Sequence, residues 1–317
     1  MAYSNVGTPR LYIDSGLYQQ ANRAWIPEAD QKSLVQLNPT NISNPPVNDI
    51  EIPKISPIQY IAFLGHNGGN YIVEWDDSEY LDGFEDIVNF PYNPFDVPYS
   101  GLSMATFTNS ESATLLRAVL REGSTIGAVS IGNYYEMPHS PDLNLKLSYE
   151  YDGVKNIQTK GGATLSNASY TKPADWGDRG AWQLGDEDGN PISNLRSGRR
   201  VWDLSFSYLS DTDVFPVNAS TSYIATIGSE TGYGDSDFGT NADYDYVFTS
   251  NILEGTDFFS VCWNQTMGGH LPFIFQPDKD NNNPDQFAIC RFDMDSLQYD
   301  QVANNVYNVK LKIRESW

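Results

Sequence analysis

The residues in this chain whose types could bind an ion or move a proton are mostly carboxylates set in polar stretches. Asp278-Lys279-Asp280-Asn281-Asn282-Asn283 has the alternating side-chain oxygens that open a calcium loop. Such a loop needs glycine at its sixth position and glutamate at its twelfth, where this chain has Asn283 and Ile289. A solvated hairpin loop is the simpler reading. Asp186-Glu187-Asp188-Gly189-Asn190 has the same character, and Asp188-Gly189 is a tight-turn dipeptide. The acidic and aromatic stretch from Gly234-Asp235-Ser236-Asp237-Phe238 to Asp243-Tyr244-Asp245-Tyr246 could grip a sugar or a cation; an exposed arm or subunit contact asks less of it. With 41 acidic residues, folding could bring two carboxylates together for glycoside hydrolysis, and acids near Trp176 or Trp182 are where to look. His66, His139 and His270 are the only histidines, and no pair of them has metal-ligand spacing. His66 and His270 each adjoin a glycine turn, where turn hydrogen bonding explains them. Cys262 and Cys290 both have apolar neighbours and read as buried thiols. The chain has no G-x-S-x-G, no glycine-rich phosphate loop and no H-E-x-x-H. The expectation is therefore no enzyme, no cofactor and no metal.

Charge narrows the partners. The formal net charge is −22 over 317 residues. That argues against nucleic acid, which demands a basic footprint, and against an anionic membrane surface. No run approaches the roughly 18 apolar residues of a membrane span, so no membrane insertion is expected. The opening Met1-Ala2-Tyr3-Ser4-Asn5-Val6-Gly7 lacks the charged start and apolar run of a signal peptide, which fits a protein made in the cytoplasm. Forty per cent hydrophobic residues and 20 tyrosines suit a globular, β-rich chain with wet interfaces.

The elements that must position these residues read mainly as strands. Leu145, Leu147, Tyr149 and Tyr151 alternate with polar residues; so do Trp202, Leu204, Phe206 and Tyr208, and so do Tyr307, Val309, Leu311 and Ile313. Period two with one wet face predicts antiparallel sheet. Ile58 to Leu64 is almost continuously apolar, as in a strand covered on both faces, and Tyr71 to Trp75 is its expected hairpin partner. Thr125 to Gly132 reads as a further strand. A helix is expected from Ser110 or Ser112 to a stop at Gly123, with Leu115, Leu116, Val119 and Leu120 as its apolar stripe. A second short helix, Thr256 to Trp263, is expected to bury Trp263. Two prolines in Met137-Pro138-His139-Ser140-Pro141-Asp142 suggest a domain boundary. The expected fold is mainly β: two antiparallel β-sandwich-like domains, 1–140 with an extended N-terminal arm and 141–317, with one or two short helices. Polar insertions of about 153–198 and 210–255 read as arms reaching neighbouring subunits.

The order of elements resembles that of minor tail and distal tail proteins of tailed bacteriophages. The strand Arg200-Val201-Trp202-Asp203-Leu204-Ser205-Phe206 precedes a helix ending in glycine, and Gly268-Gly269-His270-Leu271-Pro272-Phe273 resembles the family's "G-x-P-F" strand entry. Tyr60 to Asn67 resembles a strand and turn of the type "A-L-x-G-H-N", with His66-Asn67 at its end, and Gly127 to Gly132 a following "G-x-x-x-I-G" strand. Gly7-Thr8-Pro9-Arg10-Leu11-Tyr12-Ile13-Asp14 is similar to openings in marine-phage proteins. The resemblance implies a homo-oligomeric ring subunit at the tail tip of a virion, joining tube to baseplate or fibres and contacting other tail proteins. Trp202, Phe206, Trp263, Gly268, Gly269, Pro272, Phe273, His66 and Asn67 are then structural or interface candidates. The alternatives are a host-glycan-binding tail protein, with Trp75-Asp76-Asp77 as one patch, a capsid-decorating protein, and a tail-associated glycan depolymerase.

Overall fold

The structure is a computed structural model. It describes residues 6–24, 26, 49–53, 58–66, 71–77, 85–89, 97–99, 102–106, 113–120, 126–150, 154–168, 175–176, 179–180, 199–216, 252, 255–283 and 286–316. The fold is mainly β, 48% strand against 13% helix, so sheet pairing carries the architecture. In chain order the elements are β1 (Arg10–Asp14), α1 (Ser15–Ala21), β2 (Asp49–Pro53), β3 (Tyr60–Leu64), β4 (Tyr71–Asp77), β5 (Glu85–Asn89), β6 (Val97–Tyr99), β7 (Leu102–Thr106), β8 (Ala113–Leu120) and β9 (Ala128–Glu136). They continue with β10 (Lys146–Glu150), β11 (Val154–Gln158), β12 (Thr164–Ala168), β13 (Asp175–Trp176), β14 (Arg179–Gly180), β15 (Arg199–Ser210) and α2 (Asp211–Val214). A π-helical turn (Phe259–Asn264), β16 (Phe273–Gln276), β17 (Ala288–Phe292), β18 (Tyr299–Ala303) and β19 (Val306–Glu315) complete the chain.

An 11-stranded antiparallel sheet runs in the order β10-β15-β19-β17-β16-β1-β9-β3-β7-β6, with β18 added to β19. The proline-rich segment after Glu136 links β9 to β10, and the sheet includes strands from both sides of it. β1 lies between β9 and β16, with Leu11 opposite both Tyr135 and Phe275. Its alternation splits the core. Leu11 and Ile13 join Trp202, Phe206, Phe273 and Phe275 on one side, while Tyr12 joins Tyr60, Leu102, Ile274 and Phe287 on the other. Central strands covered on both faces explain why β3 is apolar throughout and why residues 11–13 of β1 and residues 273–275 of β16 are unbroken apolar runs.

The alternation read in β15 and β19 is present: Trp202, Leu204 and Phe206 pair in register with Ile313, Leu311 and Val309, and all six are buried. Tyr208 is a correction. The ladder shifts between Phe206 and Leu209, Tyr208 takes a positive φ of 63° and is 81% exposed, and Leu209 fills the core position instead. One extra residue in the strand makes a β-bulge, and residues beyond it change face.

Two other expectations are overturned. The segment expected as a helix between Ser110 and Gly123 contains β8, paired with β2 on one side and β4 on the other in a four-stranded sheet. Leu115, Leu116, Val119 and Leu120 suit a helical stripe, but a short apolar run also suits a central strand, and two neighbouring ladders decide the matter. The expected hairpin of β3 with β4 is absent. β3 pairs with β7 and β9, whereas β4 pairs with β5 and β8 in the other sheet. In the first polar insertion the backbone forms two short hairpins, β11 with β12 and β13 with β14.

Candidate functional site

The residues singled out in the C-terminal half converge, but inside the protein. Trp202, Phe206 and Phe273 are at most 2% exposed and belong to one core cluster. The Trp202 ring meets Phe275 edge-on at 5.1 Å, and Phe273 packs on Phe292 at 4.7 Å. Pro272 is also buried. The expected helix is a π-helical turn, shorter than predicted, and Trp263 is half-buried on Phe292 rather than fully enclosed; Phe258 is the fully buried aromatic there. The turn after it is closed by Gly268 N–H donating to the Trp263 carbonyl at 2.9 Å. Gly269 has φ 86°, and a Cβ there would come within 2.9 Å of the Phe292 Cβ, so this turn needs glycine. Trp202, Phe206, Pro272 and Phe273 are enclosed in the core, while Trp263 stays half-buried and Gly268 exposed at its entry turn.

His66 is buried and its Nε2 lies 2.9 Å from Ser103 Oγ. Burial lowers its imidazole to about 4, so it is neutral in ordinary buffers. Asn67, Trp182, Asp186 to Asn190 and Gly234 to Tyr246 lie outside the described residues, as do the side chains of Trp75 and Trp176. The Asp278 to Asn283 stretch lies on the connection between β16 and β17. Gln276 Nε2 donates to the Asn281 carbonyl and Asn282 Oδ1, both at 3.1 Å, and Lys279 pairs with Glu136, which also binds Arg10 at 2.9 Å. Burial works against the charged form of Glu136, yet hydrogen bonds from Lys279 and Arg10 outweigh it and hold its carboxyl below the usual range. Cys262 and Cys290 are buried free thiols, and burial pushes both well up. Among the described residues no group of three or more His, Cys, Asp or Glu could hold a metal ion.

A buried polar group sits where β1 ends. Asp14 caps α1 by accepting from Leu17 N–H at 2.8 Å and is 5% exposed. Burial raises its carboxyl to about 7, against the favourable hydrogen bond from Leu17. Nearby, Tyr60 Oη and Ser130 Oγ are 2.8 Å apart. Gly132, opposite Asp14, admits this arrangement: a Cβ on it would fall 2.0 Å from the Ile13 carbonyl oxygen.

The outer surface holds a feature absent from the sequence reading. A cleft of about 250 Å³ opens at the ends of β15, β17 and β19, lined by Arg199, Arg291, Phe292, Asp293, Arg314, Glu315 and Ser316. Arg291 and Arg314 are register partners, and Arg314 is also opposite Val201, two residues from Arg199. Both lining carboxylates are already engaged. Glu315 accepts from Arg200 Nη2 at 2.8 Å and from its backbone N–H at 2.6 Å, and Asp293 pairs with Lys312 at 2.6 Å. Arg314 reaches Glu150 at 3.0 Å across the sheet. Arg291 is exposed, and its side chain makes no hydrogen bond or ion pair among the described residues. The arrangement favours anion binding. The signal was available in the sequence as arginines at the ends of period-two strands, but their adjacency depends on which strands pair.

Comparisons of the chain with protein families, with curated proteins and with solved structures find no match.

Proposed function

We propose that this protein is a structural subunit of a bacteriophage virion, a ring component at the tail tip that joins the tube to baseplate or fibres. The reading rests on the sequence resemblance. The observation that supports it best is that most of the residues carrying the resemblance in the C-terminal half form one folding unit: Trp202, Phe206, Trp263 and Phe273 meet in one core, entered through the Gly268-Gly269 turn. A sheet held by extensive ladders supplies rigidity, and β10, at its edge among the described strands, offers hydrogen-bonding groups to a neighbour. Electron microscopy of purified particles with the protein labelled tests the reading. A small closed ring at the tail end is the expected result. Many copies on the head would make it a capsid-decorating protein, and absence from particles would remove the structural role.

A further inference from the structure

We infer that the arginine cleft at the ends of β15, β17 and β19 is a docking site for carboxylates carried by a second copy of this chain. The inference rests on the assembly reading and gives it an interface. Its first support is electrostatic conflict. Like charges directly opposite in an antiparallel ladder destabilise it, and Arg291 stands opposite Arg314. Glu150 relieves Arg314, while Arg291 faces solvent without a carboxylate among the described residues. The two acids that line the cleft are bound to Arg200 and Lys312, so Arg291 at its rim has capacity left for an incoming anion.

Size indicates what kind of anion. The cleft, about 250 Å³, falls below the roughly 300–1,000 Å³ of small-molecule pockets. It has room for the carboxylate side chains of a passing polypeptide. Charge indicates which polypeptide. Between Arg200 and Lys279 this chain has no lysine or arginine, and it carries Glu230, Asp235, Asp237, Asp243 and Asp245 beside Tyr233, Phe238, Tyr244 and Tyr246. Carboxylates with interleaved rings match guanidinium groups, which fork onto the former and stack on the latter.

The test uses the full chain and three variants at one fixed salt concentration, with self-association followed by sedimentation velocity. Arg291→Glu reverses the exposed charge, Arg291→Gln removes it, and Lys160→Glu makes the same change of net charge on the exposed β11–β12 connection. The expected result is that Arg291→Glu weakens association by about tenfold or more, Arg291→Gln less, and Lys160→Glu little, as for loss of a charge-assisted interface contact. Unchanged melting temperatures will show that the folds are intact; if Arg291→Glu unfolds, the comparison of Arg291→Gln with Lys160→Glu decides. Equal weakening by Arg291→Glu and Lys160→Glu would overturn the inference in favour of general repulsion. A wild-type chain that associates but ignores both Arg291 variants would overturn the cleft and leave the assembly reading standing. A wild-type chain that stays monomeric would overturn the inference as well, while particle microscopy judges the assembly reading separately.

Discussion

At Asp14 and His66 burial acts on two groups in opposite directions. The Asp14 carboxyl is raised to about 7 and the His66 imidazole lowered to about 4, both chiefly by burial. Between about pH 4 and 7 the folded state keeps a proton on Asp14 that the unfolded chain has released, so raising the pH weakens the fold. Between about pH 4 and 6.5 the unfolded chain protonates His66 while the folded chain does not, so raising the pH strengthens it. At about 1.4 kcal/mol per unit, the full effects are about 4 kcal/mol for Asp14 and about 3 kcal/mol for His66. The two slopes oppose each other in the wild type. Asp14→Asn, which preserves the cap on α1, is expected to leave stability rising with pH from 4 to 6.5. His66→Gln, which can still reach Ser103, is expected to leave it falling. Urea midpoints across this pH range check both, and an Asp14→Asn profile identical to wild type would contradict the assignment. Neither effect was legible in the sequence, because His66 looks like an ordinary turn residue and Asp14 like an ordinary surface acid until the sheet closes over them.

Periodicity in β15 and β19 was legible because each strand has one wet face, and alternation then follows from the geometry of the backbone. The bulge at Tyr208 was not, since Tyr208 continues the alternating pattern while the positive φ sends it outward. Its test is a deletion. Removing one residue from a strand normally turns every later side chain to the wrong face. Here, removing Tyr208 leaves Phe206 and Leu209 two positions apart, matching Val309 and Tyr307 opposite. It also removes a left-handed non-glycine residue. Deletion of Tyr208 is therefore expected to change stability by about 1 kcal/mol or less, whereas Leu209→Ala, at a site 2% exposed, is expected to cost about 2–5 kcal/mol. Denaturant unfolding of the two variants checks this, and a deletion as costly as Leu209→Ala would show that the bulge is structurally required. β8 and the β3–β4 expectation failed for a shared reason. Short apolar runs carry little local preference, and partners distant in sequence determined both outcomes.

For the whole molecule, charge and sheet connectivity act on different length scales. β1 joins strands of both halves into one sheet, an arrangement that no local window of sequence displays because its partners, β9 and β16, are far along the chain. The adjacency of the arginines in the cleft depends on the same kind of long-range pairing, so their strand-end positions were legible and their meeting was not. Net charge, by contrast, was fully legible, and it sets a condition on self-association. Two copies at −22 each repel over the Debye length, about 30 Å at 0.01 M salt and about 8 Å at 0.15 M. Rising salt removes this repulsion first, because it acts at long range between exposed charges. Contacts of Arg199, Arg291 and Arg314 with carboxylates act at close range in a partly enclosed cleft and are screened only at higher salt. The association constant is therefore expected to rise from low to physiological ionic strength and to fall again towards 1 M. Sedimentation across a salt series measures it. A constant that keeps rising to 1 M would leave apolar contact as the main attraction between copies, and one that falls from the lowest salt onward would mean that the cleft contacts outweigh the repulsion of the whole chain.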